Sequence, residues 1–389
     1  MQNNKTKKTS KTSSLAALTS AALALPAISQ LAAAESVPEK SQVSYRYANY
    51  QEDDLANEQV LTGTQERYET DSHQFRLLTA LNEDTALTVD AVYETLTGAS
   101  PYSTVSVGDR NQLIMTGASI SESRTDLAIA VQNFAHEESV TYRLGASTED
   151  DYQSYNIGIE RAFKRDQLTA YNLGFDFSMD TIEPVQTEGV NRIKSEDKWF
   201  ANAFVSISRV LSKRWQVQTG IALGQHDGYL SDPYKSIDVR PEEKQVFIFM
   251  GRSRYYIKSF NSAFHSDYRY YLDDWGIDSH TLDFALYKNL SDHLQLIPRF
   301  RYYSQSQADF YVASDSANRS GYQSSDFQLS PFGAISYGLD IKYKTGNYDV
   351  TLSLENYDSD GDYALKDVSQ ENPGLVSYSL MSFGVDYRY

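Results

Sequence analysis

The order of its connections constrains this chain more than any single segment does. After residue 41 the sequence falls into stretches whose polarity alternates residue by residue, joined in turn by very short and by long connections. Between 86 and 94, Leu87, Val89, Ala91 and Tyr93 share one face, and Thr88, Asp90 and Glu94 share the other, with Val92 breaking the pattern. Trp215, Val217, Thr219, Ile221 and Leu223 stand likewise against Gln216, Gln218 and Gly220. Tyr348, Val350, Leu352 and Leu354 stand against Asp349, Thr351, Ser353 and Glu355. A period of two with one apolar face marks a β-strand whose two faces meet different surroundings.

Sixteen strands are predicted, at 42–51, 66–80, 85–97, 124–134, 140–148, 152–163, 167–180, 198–211, 214–226, 244–257, 262–271, 279–288, 293–304, 325–343, 348–357 and 376–389. Every second connection is tiny: Asn82-Glu83-Asp84, His136-Glu137-Glu138, Lys164-Arg165-Asp166, Ser212-Lys213, Ser259-Phe260-Asn261, Asn289 to Asp292, and Thr345-Gly346-Asn347. The intervening ones are mostly long, at 98–123, 181–197, 227–243, 305–324 and 359–375, with short exceptions at Asp150-Asp151 and from Asp273 to Gly276. A soluble β-sandwich gives no reason for this alternation. An all-β, transmembrane, antiparallel up-and-down barrel does, with short periplasmic turns and long extracellular loops. About sixteen strands are expected, within 14–18, and an even count brings both chain ends to the periplasm.

Composition fits that class. The mean hydropathy is −0.51, and no apolar run after the first thirty-odd residues is long enough for a helical membrane span. Yet the chain holds 30 Tyr, 17 Phe and 3 Trp, which suits a wet interior, an apolar exterior and aromatic girdles at two interfaces. Without cysteine, the fold must close by some means other than disulfides. A formal charge of −17 argues against a nucleic-acid partner, which would need Lys and Arg to neutralise phosphates.

The N-terminus reads as a signal peptide over residues 1–34: Lys5, Lys7, Lys8 and Lys11, an interrupted apolar stretch from Leu15 to Leu31, then Ala32-Ala33-Ala34. Residues 35–41 are then a short periplasmic segment and 42–389 the barrel. At the other end Phe383, Val385, Tyr387 and Tyr389 alternate with Ser382, Gly384, Asp386 and Arg388. This resembles the terminal-strand signal read by the outer-membrane assembly machinery, although Tyr389 stands where Phe is usual. The partners expected are therefore that machinery, outer-membrane lipid and lipopolysaccharide.

If the apolar faces point to lipid, the opposite faces define a lumen. Its basic candidates are Arg46, Arg76, Arg252, Arg254, Arg269, Arg299 and Arg301. Its acidic candidates are Asp90, Glu94, Glu160 and Asp176, with Asp267 and Asp283 among the late arginines. Two arrangements follow: a transverse field between opposite walls that orients polar solutes, or cross-strand ion pairs that line the wall. The 98–123 loop carries Ile114, Met115 and Ile120, which suit a loop folded inward over the pore.

Asp358, Asp360 and Asp362 alternate like the start of a calcium loop, but the glycine comes early and the twelfth position is Ser369, so a solvated hairpin tip is expected instead. Glu52-Asp53-Asp54 and Glu149-Asp150-Asp151 are read the same way, and no cofactor is expected. His73, His136, His226, His265, His280 and His293 show no metal or catalytic spacing. An enzyme is not expected; an outer-membrane lipid hydrolase using Ser with His265 or His280 is the weakest reading.

Several stretches resemble one family of uncharacterised Gram-negative proteins, classed only by a domain of unknown function. They are YQEDDL at Tyr50–Leu55, VDAVYETLTGASP at Val89–Pro101, TGASI at Thr116–Ile120, STEDDY at Ser147–Tyr152, RYYLDDWG within Tyr268–Gly276 with Ser279-His280-Thr281, and RYYSQS at Arg301–Ser306 running on to Phe310-Tyr311. The resemblance implies an outer-membrane protein of no settled activity. It also implies an envelope redox setting, because such proteins tend to be encoded beside a thioredoxin-like protein, a small lipoprotein and a flavin transferase. Two functional readings stand foremost: a porin-like channel with a charged lumen, and a non-conducting barrel serving periplasmic redox partners as scaffold or sleeve.

Overall fold

A computed structural model describes residues 36–389 except 117–119, 187–189 and 319; the expected signal peptide lies outside the described residues. The chain forms a closed antiparallel barrel of 16 strands. They are β1 (Gln42–Glu52), β2 (Glu69–Ala80), β3 (Thr85–Gly98), β4 (Ile120–Ala135), β5 (Glu138–Thr148), β6 (Tyr152–Asp166), β7 (Thr169–Ile182) and β8 (Glu196–Ser212). Next come β9 (Trp215–Gly228), β10 (Glu243–Ile257), β11 (Ser262–Asp273), β12 (Asp278–Asn289), β13 (Leu294–Gln305), β14 (Phe332–Thr345), β15 (Tyr348–Asp360) and β16 (Tyr378–Arg388). Each strand pairs with its sequence neighbours, and β1 pairs with β16 from Gln42↔Arg388 to Glu52↔Tyr378. No strand edge is left unpaired around the ring, which answers how a chain without disulfides closes itself.

The two faces separate as the alternation requires. Leu144, Ile157, Phe175, Leu223, Tyr337 and Leu354 are exposed on the outer face. Aqueous solvent would penalise that belt, whereas lipid welcomes it. The inner face is mostly polar, with one departure. Phe204, Ala222, Val246, Ile248 and Met250 form a buried apolar cluster on the inner wall of β8, β9 and β10, with Tyr271 of β11 against it. Gly174 makes room for it: a Cβ there would stand 2.1 Å from the Phe204 ring.

The short turns gather at one end of the barrel and the long loops at the other. Two loop regions hold structure that strand periodicity did not indicate. Inside the expected 98–123 loop, Pro101–Val107 and Arg110–Met115 form a hairpin, joined by Val60–Thr62 into a three-stranded sheet. The strand expected to start at 325 starts at Phe332 instead. Gln323–Ser324 pairs with Asp238–Val239, and Phe327–Leu329 makes a 3-10 turn capped by Asp326, whose side chain accepts from Gln328 N.

Candidate functional site

Every charged residue assigned to the lumen from the sequence lies on the inner face, and most of them meet a neighbour on the next strand. Arg76 Nε bonds Asp90 Oδ1 at 2.6 Å, and Arg301 Nε bonds Asp283 Oδ1 at 2.5 Å. Asp267 is gripped by both guanidinium nitrogens of Arg254, with Arg252 3.8 Å away. Arg124 stands 3.4 Å from Glu94. Arg143 bridges Glu160 at 3.0 Å and Asp176 at 3.3 Å, while Arg299 bridges Asp340 and Glu355, each at 3.1 Å. Alternation alone could have found Arg124, Arg143, Asp340 and Glu355, which have the same parity as the residues chosen. The side chains of Arg76 (59% exposed) and Arg301 (49%) reach water inside the barrel.

The pairing runs along the wall from strand to strand. It leaves an imbalance between walls: Arg252, Arg254, Arg269 and Arg301 on β10, β11 and β13 face only Asp267 and Asp283, whereas acids outnumber Arg124 and Arg143 on β3 to β7. Arg46 and Arg269 make no ion pair among the described residues.

The loop end is covered by a cap built from long loops. The 99–119, 229–242 and 306–331 loops meet at one node. Asp315 accepts from Ser103 Oγ (2.6 Å) and Thr104 N (3.0 Å), Asp315 N donates to Thr104 O (2.8 Å), and Ser236 N donates to Tyr102 O (2.9 Å). These loops are rooted six, four and six strands apart around the ring, so a shared node must lie across the opening. A second node joins Arg240 to Asp238 (2.8 Å) and Asp326 (2.8 Å), and Ser324 Oγ to Asp238 (2.5 Å). Burial pushes the Asp326 carboxyl up, but Lys235 and Arg240 more than offset it and hold it at about 2.

Two apolar clusters fill the cap. Trp275, Ile277, Ala308, Phe310, Tyr311 and Leu329 form one, with Leu230 and Tyr271 against it. Leu55, Ala99, Leu113 and Met115 form the other. The inward-folding loop therefore buries Leu113 and Met115, Ile114 is half-buried, and Ile120 opens β4. Asn372 of the 361–377 loop donates to Tyr311 OH (3.1 Å) and Ser325 O (2.9 Å), and Gln59 of the 53–68 loop reaches Pro373 O (3.2 Å). Gly98, at φ +125°, lets the Arg67 carbonyl pass 2.1 Å from where a Cβ would stand. Arg67 then makes a buried 2.8 Å ion pair with Glu52. At the opposite end no such cover exists among the described residues. There a cavity of about 430 Å³ opens between the turns, lined by Ser139, Ala162, Ala170, Ser208 and Gln216 among others.

Asp358 accepts from Tyr363 OH and Ser377 Oγ, and Asp360 accepts from Asp362 N, so the first two serve as turn acceptors. The described residues hold no group of three or more His, Cys, Asp or Glu side chains arranged for a metal. The His265 ring packs at a tilt against Tyr287, their centroids 4.1 Å apart, and His280 Nδ1 pairs with Tyr268 OH on the outer face. Phe383 and Tyr387 lie on the outer face of β16, where Tyr387 stacks between Tyr348 and Tyr389; Val385 pairs with Tyr45 and Val350.

A family model described as "Protein of unknown function (DUF3570)" matches residues 15–376. No curated protein matches. Solved structures that resemble this one include CdiB from Acinetobacter baumannii, at 7% identity and TM-score 0.51 over 90% of this chain and 60% of that one. Others are the siderophore receptor PirA from Pseudomonas aeruginosa (10%, TM-score 0.43, 90% and 62%) and Pseudomonas aeruginosa OpdQ (9%, TM-score 0.41, 90% and 97%). The chain spans about three fifths of the length of CdiB and PirA. The likeness to CdiB shows the fold.

Proposed function

The chain belongs to the DUF3570 family of proteins of unknown function, and we propose that it is an outer-membrane channel for small polar solutes, closed at rest by its cap. The observation that carries this reading is a charged, water-reached lumen behind a cover that only hydrogen bonds, ion pairs and small apolar clusters hold in place. A barrel serving only as a hydrophobic anchor has no need of solvated Arg76 and Arg301 on its inner wall. In this reading the loop end faces outward and both chain ends lie in the periplasm. Solutes pass when the cap gives way, then cross between the arginine-rich wall of β10 to β13 and the acidic wall of β3 to β7, a field that aligns dipolar molecules.

The test is planar-bilayer recording of the refolded protein beside an Asp315→Ala, Asn372→Ala variant, which cuts two of the cap's fastenings. Rare openings are expected from the native chain and frequent ones from the variant. The closed mouth also suits the other reading, a non-conducting barrel that holds envelope redox partners. Silence from both proteins, each shown to be folded, would favour that reading and sink the channel.

A further inference from the structure

The geometry points to an oxyanion-binding site on the inner wall, where Arg269 and Thr281 would take the carboxylate or phosphate of a solute. This deepens the channel reading by naming a solute class, and it rests on that reading. Arg269 of β11, Thr281 of β12 and Tyr303 of β13 are register partners in one row, so their side chains rise from the same strip of wall. Neighbours in such a row have Cβ atoms about 4.5–5.5 Å apart.

Two of the three are left with unused donors. Arg269 makes no hydrogen bond or ion pair among the described residues. The Thr281 hydroxyl is buried, with the residue 7% exposed, and has no hydrogen-bond partner among the described residues. A buried hydroxyl without a partner loses its hydration for nothing in return, so something polar belongs beside it. Tyr303 is already committed: its hydroxyl donates to Gln305 Oε1 at 2.6 Å.

Charge decides the sign of the missing partner. In the adjoining row Asp267 and Asp283 are register partners, and each is already held by arginine, Asp267 by Arg254 and Asp283 by Arg301. The positive charge of Arg269 is therefore left over after local pairing. Arg301, at the same wall, is balanced by Asp283 and leaves Arg269 as the uncompensated charge of this strip. A planar guanidinium with a neighbouring hydroxyl donor matches the two or three acceptor oxygens of a carboxylate or phosphate. A cation would meet repulsion, and an apolar group would leave both donors unused.

Inorganic phosphate is the probe. Calorimetric titration into the refolded barrel, in chloride buffer, should give saturable binding. Arg269→Gln should weaken it at least about tenfold, and Thr281→Val several-fold. Arg269→Lys should retain part of it, and Arg46→Gln, which removes a lumenal charge elsewhere, should leave it unchanged. Heat-modifiable gel mobility confirms that each variant is folded. Phosphate binding that survives Arg269→Gln, falls equally in Arg46→Gln, or is absent from the native barrel overturns the proposal. Conductance is read separately, so a conducting barrel without this binding removes the site and leaves the channel standing.

Discussion

Glu149 sits where a carboxylate is least at ease. It lies in the turn between β5 and β6, buried, with Oε2 lacking a hydrogen-bond partner among the described residues, and burial raises its pKa to about 7. Arg124 of β4 and Lys198 of β8 oppose the shift; Glu94 of β3 and Asp151 add to it. Asp151 is raised to about 6, first by burial and then by Asp150 and Asp232, against the hydrogen bond it accepts from Tyr234. That bond, with the one Val185 N donates to Tyr234 OH, fastens the 229–242 loop to the barrel rim. A raised carboxyl pKa means the closed state binds protons more tightly than the open one. Its stabilisation is complete below about pH 4 and is lost as pH rises through about 6 to 7. Limited proteolysis of the 229–242 loop should therefore be faster at pH 8 than at pH 5.5, and Glu149→Gln with Asp151→Asn should remove the difference; equal rates in the native chain would refute this. Alternation exposed Arg269 and Arg301 as inner-face residues directly from the sequence. It was silent on Arg240, which lies in a loop where no period relates a residue to a direction, and it took Arg67 and Asp326 into the expected strands 66–80 and 325–343, whereas both lie in loops.

Strands were legible because each one repeats the same choice between lipid and lumen many times. That redundancy survives local exceptions such as Val92 of β3, whereas a loop contact is specified once. The start of β14 shows the limit: 325–331 reads as a strand extension, yet Ser324 and Asp326 are held by Asp238 and Arg240 of another loop, which draws the segment into the cap. The inner cluster around Phe204 shows another, since apolar residues on both faces look like a lapse in patterning rather than a packed wall. The outer face makes a quantitative prediction. Leu223→Arg on β9 should cost about 2–4 kcal/mol of folding free energy in lipid vesicles if it lies near the midplane, falling towards zero near an interface. Ser206→Arg, on the inner face, would report packing instead. Urea titration of the vesicle-refolded protein measures both, and midpoints unchanged by arginine at Val217, Ile221 and Leu223 alike, three depths on this face, would deny that it meets lipid.

At the scale of the whole molecule, closure is the central property. β1 and β16 pair along their full length, and Ser41 and Tyr389 exchange backbone hydrogen bonds beyond them. Such a ring unfolds as a unit, so the refolded protein should run at a different position on gels when unheated than when boiled. A single position under both conditions would contradict a closed barrel. The number of strands and the end that carries the loops were readable before any coordinates, because turn length is a sequence property. Of the cover over the mouth only the inward-folding 98–123 loop was legible, since the rest depends on contacts between loops rooted far apart. Those contacts carry a mechanical consequence. A thin-walled tube resists stretching but flattens easily into an oval, and the rim is its softest part. Ties from roots six, four and six strands apart triangulate that rim, so squeezing it along any diameter must strain at least one tie. The cap is thus a truss as well as a cover, and loosening it should let the cylinder breathe.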